Sequence, residues 1–304
     1  MPELRFDDRV AVVTGAARGL GRTYALLLAA RGAKVIVNDI GGAMSGEGID
    51  VEPALRVVHE IQAAGGEALA STESVATPAG GKAIIESALD HYGRIDILIH
   101  NAGNVRYASL KEISLEDFDA VLDVHLRGGF HLVRQAFPRM CAAGYGRIVL
   151  TSSIGGLYGN ARVVNYGVAK MGLVGLSNII AVEGAQEGVQ SNVILPSAVT
   201  RMAEGLDISK YPPMEPELVA PVVGYLCHES CPLTGEMLIA IAGRIARAYV
   251  AETPGVHRSA WTIEEVAEQL SAIRDSEKLV VFPTVTGFGD HIGYSFEMAR
   301  NGGG

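Results

Sequence analysis

The chain has 304 residues, 48% of them hydrophobic and 19% charged, and 25 basic against 34 acidic side chains give a net charge of −9. That balance argues against a nucleic-acid partner, since counterion release needs a basic face. Three cysteines, Cys141, Cys227 and Cys231, are too few for a disulfide scaffold and point to a reducing compartment.

From the N-terminus, short apolar runs alternate with longer helical patterns. RVAVVTG (Arg9–Gly15) reads as a strand, and LGRTYALLLAARGA as a helix that stops at Gly32. AKVIVND (Ala33–Asp39) is the second strand, and EPALRVVHEIQAAGG the second helix, stopping at Gly65. GEALAS (Gly66–Ser71), RIDILIHN (Arg94–Asn101), GRIVLTS (Gly146–Ser152) and SNVILP (Ser191–Pro196) follow as strands three to six. They show little polar alternation, the pattern of strands covered on both faces. Beyond Pro196, SAVTRMAEGLDISKYPPMEP has three prolines and no period, and reads as a loop or lid. A helix, PELVAPVVGYLCHES, and a last strand, GEMLIAIAG, close the sheet. The expected fold is α/β: a Rossmann-type, doubly wound parallel sheet of about seven strands with helices on both faces.

That domain is expected over residues 1–245. Residues 246–304 hold one clear helix, TIEEVAEQLSAIRD, behind a Thr262 cap with Glu265 three positions on. They read as an extension packed on the main domain or on a partner subunit. No run approaches the roughly 18–20 apolar residues of a membrane span. The charged start MPELRFDDRVAVV has no signal-peptide core, and MARNGGG carries no peroxisomal or retention tripeptide. The expected location is cytoplasmic.

Chemistry concentrates at the strand ends. TGAARGLG (Thr14–Gly21) joins the first strand to the first helix, where glycines let the backbone approach a ligand and the helix N-terminus favours an anion. Asp39 ends the second strand 18 residues after Gly21, placed to accept hydrogen bonds from ribose hydroxyls and to repel a 2′-phosphate. This favours NAD over NADP. Arg18 is the counter-argument, as a cation that suits such a phosphate, and a cap or turn role would also explain an acid at Asp39. HNAG (His100–Gly103) is a further close approach, beneath the cofactor ribose. Strand five ends in Thr151, Ser152 and Ser153, with Thr151 and Ser153 facing one way by alternation. Tyr166 follows Ser153 by 13 residues, and Lys170 lies one helical turn further on the same face. A phenol has a pKa of about 10, and an ammonium beside it is expected to pull that value down.

Together these motifs, T-G-x-x-x-G-x-G, N-A-G, Ser–13–Tyr and Y-x-x-x-K, resemble the short-chain dehydrogenase/reductase family over about residues 8–245. VNDIGG (Val37–Gly42), VHLRG (Val124–Gly128), LYGN (Leu157–Asn160) and LCHES (Leu226–Ser230) resemble strings in one branch, the (3R)-hydroxyacyl-CoA dehydrogenase portions of peroxisomal multifunctional enzymes of type 2. The resemblance implies that Tyr166 is the acid/base, that Ser153 positions the substrate oxygen, and that Lys170 assists and binds the nicotinamide ribose. It implies a cofactor lining of Gly15, Arg18, Gly19, Leu20, Gly21, Asp39, Val75, Asn101, Ala102 and Gly103, with Pro196 and Val199 at the nicotinamide end. It also implies a homodimer or homotetramer, paired through helix four and the Tyr166 helix.

Two positions depart from the family pattern. His125 replaces the asparagine of helix four that supports a proton-relay water; it is a candidate catalytic residue, with a structural role as the alternative. Pro196–Ser197 replaces a P-G step, and Thr200–Arg201–Met202 follows. CHESC (Cys227–Cys231) has metal-ligand residue types but no second cluster at zinc spacing, so no metal is expected. The implied reaction interconverts a secondary alcohol and a ketone with NAD(H), on a bulky hydrophobic substrate suited to Tyr211, Pro212, Pro213 and Met214. A 3-hydroxyacyl-CoA is the first choice, with Arg201 and Lys210 near a CoA phosphate, and a hydroxysteroid or other ring alcohol the second. A dinucleotide-binding regulatory protein without catalysis is the reading from another class; the intact Ser153, Tyr166 and Lys170 argue against it.

Overall fold

The computed structural model describes residues 2–199 and 211–301, so Thr200, Arg201, Met202 and Lys210 lie outside the described residues. Eight strands form one sheet in the order β3-β2-β1-β4-β5-β6-β7-β8. They are β1 (Val10–Thr14), β2 (Lys34–Asn38), β3 (Glu67–Ser71), β4 (Ile97–His100), β5 (Gly146–Thr151), β6 (Val189–Ser197), β7 (Met237–Ile241) and β8 (Arg244–Ala248). The first seven pair in parallel. The eighth is one more than the expected seven. Only Ala242 and Gly243 separate it from β7, with φ of 48° and 77°, a tight turn that sends β8 back antiparallel along the edge. Its RIARA sequence has two arginines in five residues and is mostly exposed, so it carries no apolar run to mark it.

The strand alternation explains the unbroken hydrophobic runs. Ala11 and Val13 face one core, with Tyr24 and Leu28 of α1 (Gly19–Ala30), Val57 and Ile61 of α2 (Glu52–Ala63), and Leu226 of α8 (Ala220–Cys227). Val10 and Val12 face the other, with Ile84 and Ile85 of α3 (Pro78–Tyr92), Leu132 and Met140 of α5 (Gly128–Ala143), and Leu173 of α7 (Val164–Gly184). Both faces of each central strand are therefore covered, which removes polar residues from it.

Helix four is interrupted. α4 (Leu115–Leu122) passes into a π-helical turn, Asp123–Arg127, and then into α5 without a loop. Such turns insert an extra residue and re-aim the side chains they carry. A short α6 (Ile154–Leu157) follows β5.

The chain divides into two compact units, Met1–Arg247 and Ala248–Gly304. In the second, the expected helix is split at Gln269 into α9 (Ile263–Glu268) and α10 (Leu270–Ile273), with the Thr262–Glu265 capping box in place. A further helix, α11 (Gly287–Asn301), was not expected, because its three glycines weaken the helical signal. No residue of these three helices is buried. Among the described residues no helix is long and apolar enough to cross a membrane.

Candidate active site

β1 has β2 on one side and β4 on the other, so the chain leaves its sheet edge in opposite directions here and opens a crevice beyond the carboxyl ends of the strands. Thr14 and His100, the last residues of β1 and β4, pair in register at its floor. A cavity of about 200 Å³ starts there, lined by Gly15, Arg18, Gly19 and Leu20 from the glycine loop, by Asp39, by Val75, and by Asn101, Ala102 and Gly103. These are nine of the ten residues expected to line the body of the cofactor. The tenth, Gly21, lies outside the lining. A Cβ there would stand 2.1 Å from the Gly15 carbonyl oxygen, so Gly21 is needed for packing the loop on its own helix.

The loop suits a diphosphate. Gly15 takes φ of 65°, and α1 opens with no side-chain cap and no acid in its first turn, leaving its first N–H groups to an anion. Asp39 accepts the Ala17 N–H at 3.0 Å through Oδ2 and the Gly41 N–H at 2.7 Å through Oδ1. Its turn role and its place in the cavity wall thus coexist. Arg18 forms no ion pair or side-chain hydrogen bond among those described. The residues present fit a nicotinamide dinucleotide.

Beside this cavity stands the hydroxyl–phenol–ammonium trio. Ser153 caps α6, its Oγ accepting the Gly155 N–H at 3.0 Å, and its hydroxyl is near enough to the Tyr166 phenol to favour the ionised form. Ser152 faces away and donates to the Lys170 carbonyl at 2.7 Å, as the strand alternation requires. Lys170 is buried, donates through Nζ to the Thr151 carbonyl at 2.6 Å, and sits 5.4 Å from the centre of the Tyr166 ring. Burial pushes the Lys170 ammonium down to about 7. Burial also raises the Tyr166 phenol above its ordinary value, against the opposing effect of the Ser153 hydroxyl. This corrects the expected depression by Lys170: a lysine that is itself desolvated carries only part of its charge near neutrality and cannot hold a phenolate strongly.

His125 lies in the π-helical turn with 1% of its surface exposed, its ring edge-on to Tyr166 at 5.3 Å. Its Nε2 is 3.1 Å from the Asn104 amide nitrogen and 2.9 Å from the Asn104 carbonyl oxygen, while Nδ1 is buried without a partner. Whichever tautomer the ring adopts, one buried polar group is left unpaired. Burial, and secondarily Lys170, keeps the ring well below the usual histidine range, and therefore neutral.

Pro196 and Val199 do not line the cavity. Pro196 pairs with Ala240 of β7, and the Val199 N–H bonds to the Met214 carbonyl at 2.7 Å. In CHESC, Cys227 ends α8 and His228 Nδ1 is 2.8 Å from Ser230 Oγ. Among the described residues no group of three or more His, Cys, Asp or Glu is placed to hold a metal.

Sequence reasoning passed over two residues that the fold brings in, and gave a third, His100 of the HNAG turn, no role of its own. Asn165 is fully buried; its Nδ2 donates to the Arg106 carbonyl at 3.1 Å and the Asp117 carbonyl at 3.0 Å, and its Oδ1 accepts the Tyr166 N–H at 2.8 Å. It pins the start of α7 to the loop after β4. Tyr107, on that loop, is near enough to the Tyr166 phenol to disfavour its ionised form. His100 spans the crevice floor. Asn165 stands beside Tyr166 in the chain and Tyr107 is one tyrosine among ten, so neither gave a signal of its own.

The family described as short chain dehydrogenase matches residues 9–208. Peroxisomal multifunctional enzyme type 2 of Drosophila melanogaster is 49% identical over 283 residues, which are 91% of this chain and 47% of that enzyme. The chain thus spans about half the length of that relative. The solved structure of the full-length fly enzyme matches with a TM-score of 0.81 and 41% identity, covering 98% of this chain and 50% of that one. A short chain dehydrogenase from Mycobacterium avium matches with a TM-score of 0.77 and 39% identity, over 88% of this chain and 94% of its own.

Proposed function

The chain belongs to the short-chain dehydrogenase family and is an oxidoreductase acting on a CH–OH group, and from this premise we propose that it interconverts a 3-hydroxyacyl-CoA and its 3-ketone with NAD(H). The observation that carries the chemistry is the buried Lys170 ammonium, tied to the Thr151 carbonyl at the end of β5 and 5.4 Å from the centre of the Tyr166 ring, with the Ser153 hydroxyl acting on the same phenol. When bound, the dinucleotide supplies or accepts the hydride. Ser153 holds the substrate oxygen, and Tyr166 gives that oxygen a proton in reduction and takes it back in oxidation. Lys170 fixes the distance from β5 to the phenol, since its Nζ is tied to Thr151, and offers its remaining N–H groups to the ribose.

NAD is favoured over NADP by Asp39 in the cavity wall, a carboxylate that a 2′-phosphate would have to approach. The CoA thioester is favoured by the VNDIGG, VHLRG, LYGN and LCHES strings and by similarity along 91% of the chain to a multifunctional enzyme. Tyr107 and Tyr158, exposed on the segments that follow β4 and β5, are aromatic surface that suits an apolar acyl chain. A homo-oligomer is supported by exposed Leu115, Phe130, Val168, Ile179 and Val182 on α4, α5 and α7, apolar surface that a monomer leaves in water.

The test is reduced-nicotinamide formation with NAD or NADP and a panel of alcohols: 3-hydroxyacyl-CoAs of both configurations, hydroxysteroids and simple ring alcohols. Turnover on a 3-hydroxyacyl-CoA with NAD is the expected result. Turnover confined to ring alcohols keeps the mechanism and removes the CoA thioester. Silence across the panel with NADH binding intact returns the non-catalytic reading.

A further inference from the structure

His100 connects three parts of the site that lie far apart in the chain. It ends β4 beside Thr14, is 1% exposed, and has both ring nitrogens engaged. Nδ1 is 3.1 Å from Thr14 Oγ1, and Nε2 is 2.8 Å from the backbone carbonyl oxygen of His125. The proton on this ring can be assigned by counting lone pairs. Thr14 Oγ1 accepts the N–H of Asn101 at 3.2 Å and the N–H of Ala102 at 3.1 Å. Both acceptor positions of the hydroxyl are then filled, so its own proton points to His100 Nδ1. Nδ1 is an acceptor, the proton is on Nε2, and Nε2–H donates to the π-helical turn.

The packing around the ring is shaped for it. Gly129, one turn after His125, faces the ring: a Cβ there would come to 3.1 Å from His100 Cδ2 and 2.9 Å from Leu173 Cδ2. A larger residue would push α5 off the ring. The His125 side chain leaves the same turn on the side of Tyr166 and is held by Asn104. A line of contacts therefore runs from the cofactor loop through Thr14 and His100 to the turn, and through the His125 ring to the catalytic phenol.

We propose that His100 is a positioning residue: by donating from Nε2 to the His125 carbonyl it fixes the π-helical turn, and so the seat of the His125 ring against Tyr166. This rests on the dehydrogenase reading, in which Tyr166 is the acid/base. Burial holds the His100 ring down to about 4, which keeps it in the neutral state this role needs. His100 touches neither substrate nor reacting atoms and acts only through the turn.

The two bonds can be separated by side-chain reach. Asn at position 100 can accept from Thr14 but is too short to donate to His125. Gln can reach the His125 carbonyl with its amide N–H. Phe fills the space and makes neither bond. The experiment uses the full-length protein with His100→Asn, His100→Gln and His100→Phe. It measures NADH affinity by fluorescence, steady-state kinetics on whichever alcohol the wild type turns over, and hydrogen exchange of the peptide spanning residues 121–129.

The expected result has NADH affinity within about threefold of wild type in His100→Asn and His100→Gln. The turnover number falls roughly tenfold to a hundredfold in His100→Asn and His100→Phe with little change in KM, as for a misplaced reacting geometry, and recovers in His100→Gln. Exchange in 121–129 is faster in the Asn and Phe variants and close to wild type in the Gln variant. Equal exchange in all three variants overturns the proposal whether or not a substrate has been found. So does a turnover number in His100→Asn within about twofold of wild type, or losses that track melting temperature equally in all three. A wild type inactive on every alcohol would count against the dehydrogenase reading, and the exchange arm would still decide whether His100 fixes the turn.

Discussion

The His125 ring stands edge-on to the Tyr166 ring, with centroids 5.3 Å apart and planes at 82°. The two residues are 41 positions apart in the chain and meet because a π-helical turn replaces a regular turn in helix four. Edge-to-face contact of this kind fixes the angle of a phenol as well as its distance. His125→Ala is therefore expected to lower the turnover number by roughly tenfold or more, with NADH affinity near wild type. Steady-state kinetics beside a fluorescence titration checks it; loss of both in proportion would mark His125 as a packing residue only.

Tyr166→Phe keeps the ring and its contact with His125 but removes the exchangeable proton. Turnover should fall by about 10²–10⁴-fold, the usual worth of a positioned acid/base, while NADH binds within about threefold of wild type. Turnover unchanged in this variant would remove the proposed mechanism.

Lys170 gives a stability prediction with a definite sign. Burial takes its pKa from 10.5 to about 7, so between those values the unfolded chain holds a proton that the folded chain has released. Wild-type stability therefore rises with pH across that window, and the cost of burying the charge is fully present below pH 7. Lys170→Met should be more stable than wild type at pH 6 by about 5 kcal/mol, with the gap closing towards pH 10, and should be inactive. Urea melts at three pH values decide it; a gap that does not change with pH would place the effect elsewhere than in charge burial.

On the acid side His100 acts in the same direction over a different range. Its pKa falls from 6.5 to about 4, so as pH drops through this window the unfolded chain takes up a proton that the folded chain refuses. Stability should fall by roughly 3 kcal/mol from this residue alone as pH goes from 6.5 to 4. His100→Gln should flatten that part of the curve. An unchanged slope in urea midpoints would show that the ring is not held neutral.

Asp39→Asn tests cofactor choice. The amide keeps one acceptor for the turn and removes the negative charge that faces a 2′-phosphate. The preference for NADH over NADPH is expected to shrink by roughly tenfold or more. Paired titrations with the two cofactors measure it, and an unaltered ratio would assign selectivity to Arg18 or to other parts of the loop.

Much of the protein was legible in its residues. Buried central strands carry continuous apolar runs because both faces are covered, so β1 to β7 declared themselves. The glycine loop, Asp39, Ser153, Tyr166 and Lys170 were identifiable because their work depends on spacing within a strand end, a turn or one face of a helix, which are local quantities. Elements that do not bury a periodic face gave no such signal. β8 is a mostly exposed edge with two arginines in five residues, and α11 is glycine-rich with nothing buried.

The electrostatics of the site came only with the fold. A Tyr–Lys pair read along a helix predicts an ammonium lowering a phenol. Once the sheet and α7 close over both groups, desolvation outweighs that pairing, lowering Lys170 and raising Tyr166. The roles of His100 and His125 were decided in the same way. Their partners, Thr14, Asn104 and a backbone carbonyl in a π-helical turn, reach them across the crevice rather than along the chain. Sequence fixes which groups are present and their local order; which of them stay charged, and which carbonyl each proton meets, depends on water being excluded by segments distant in sequence.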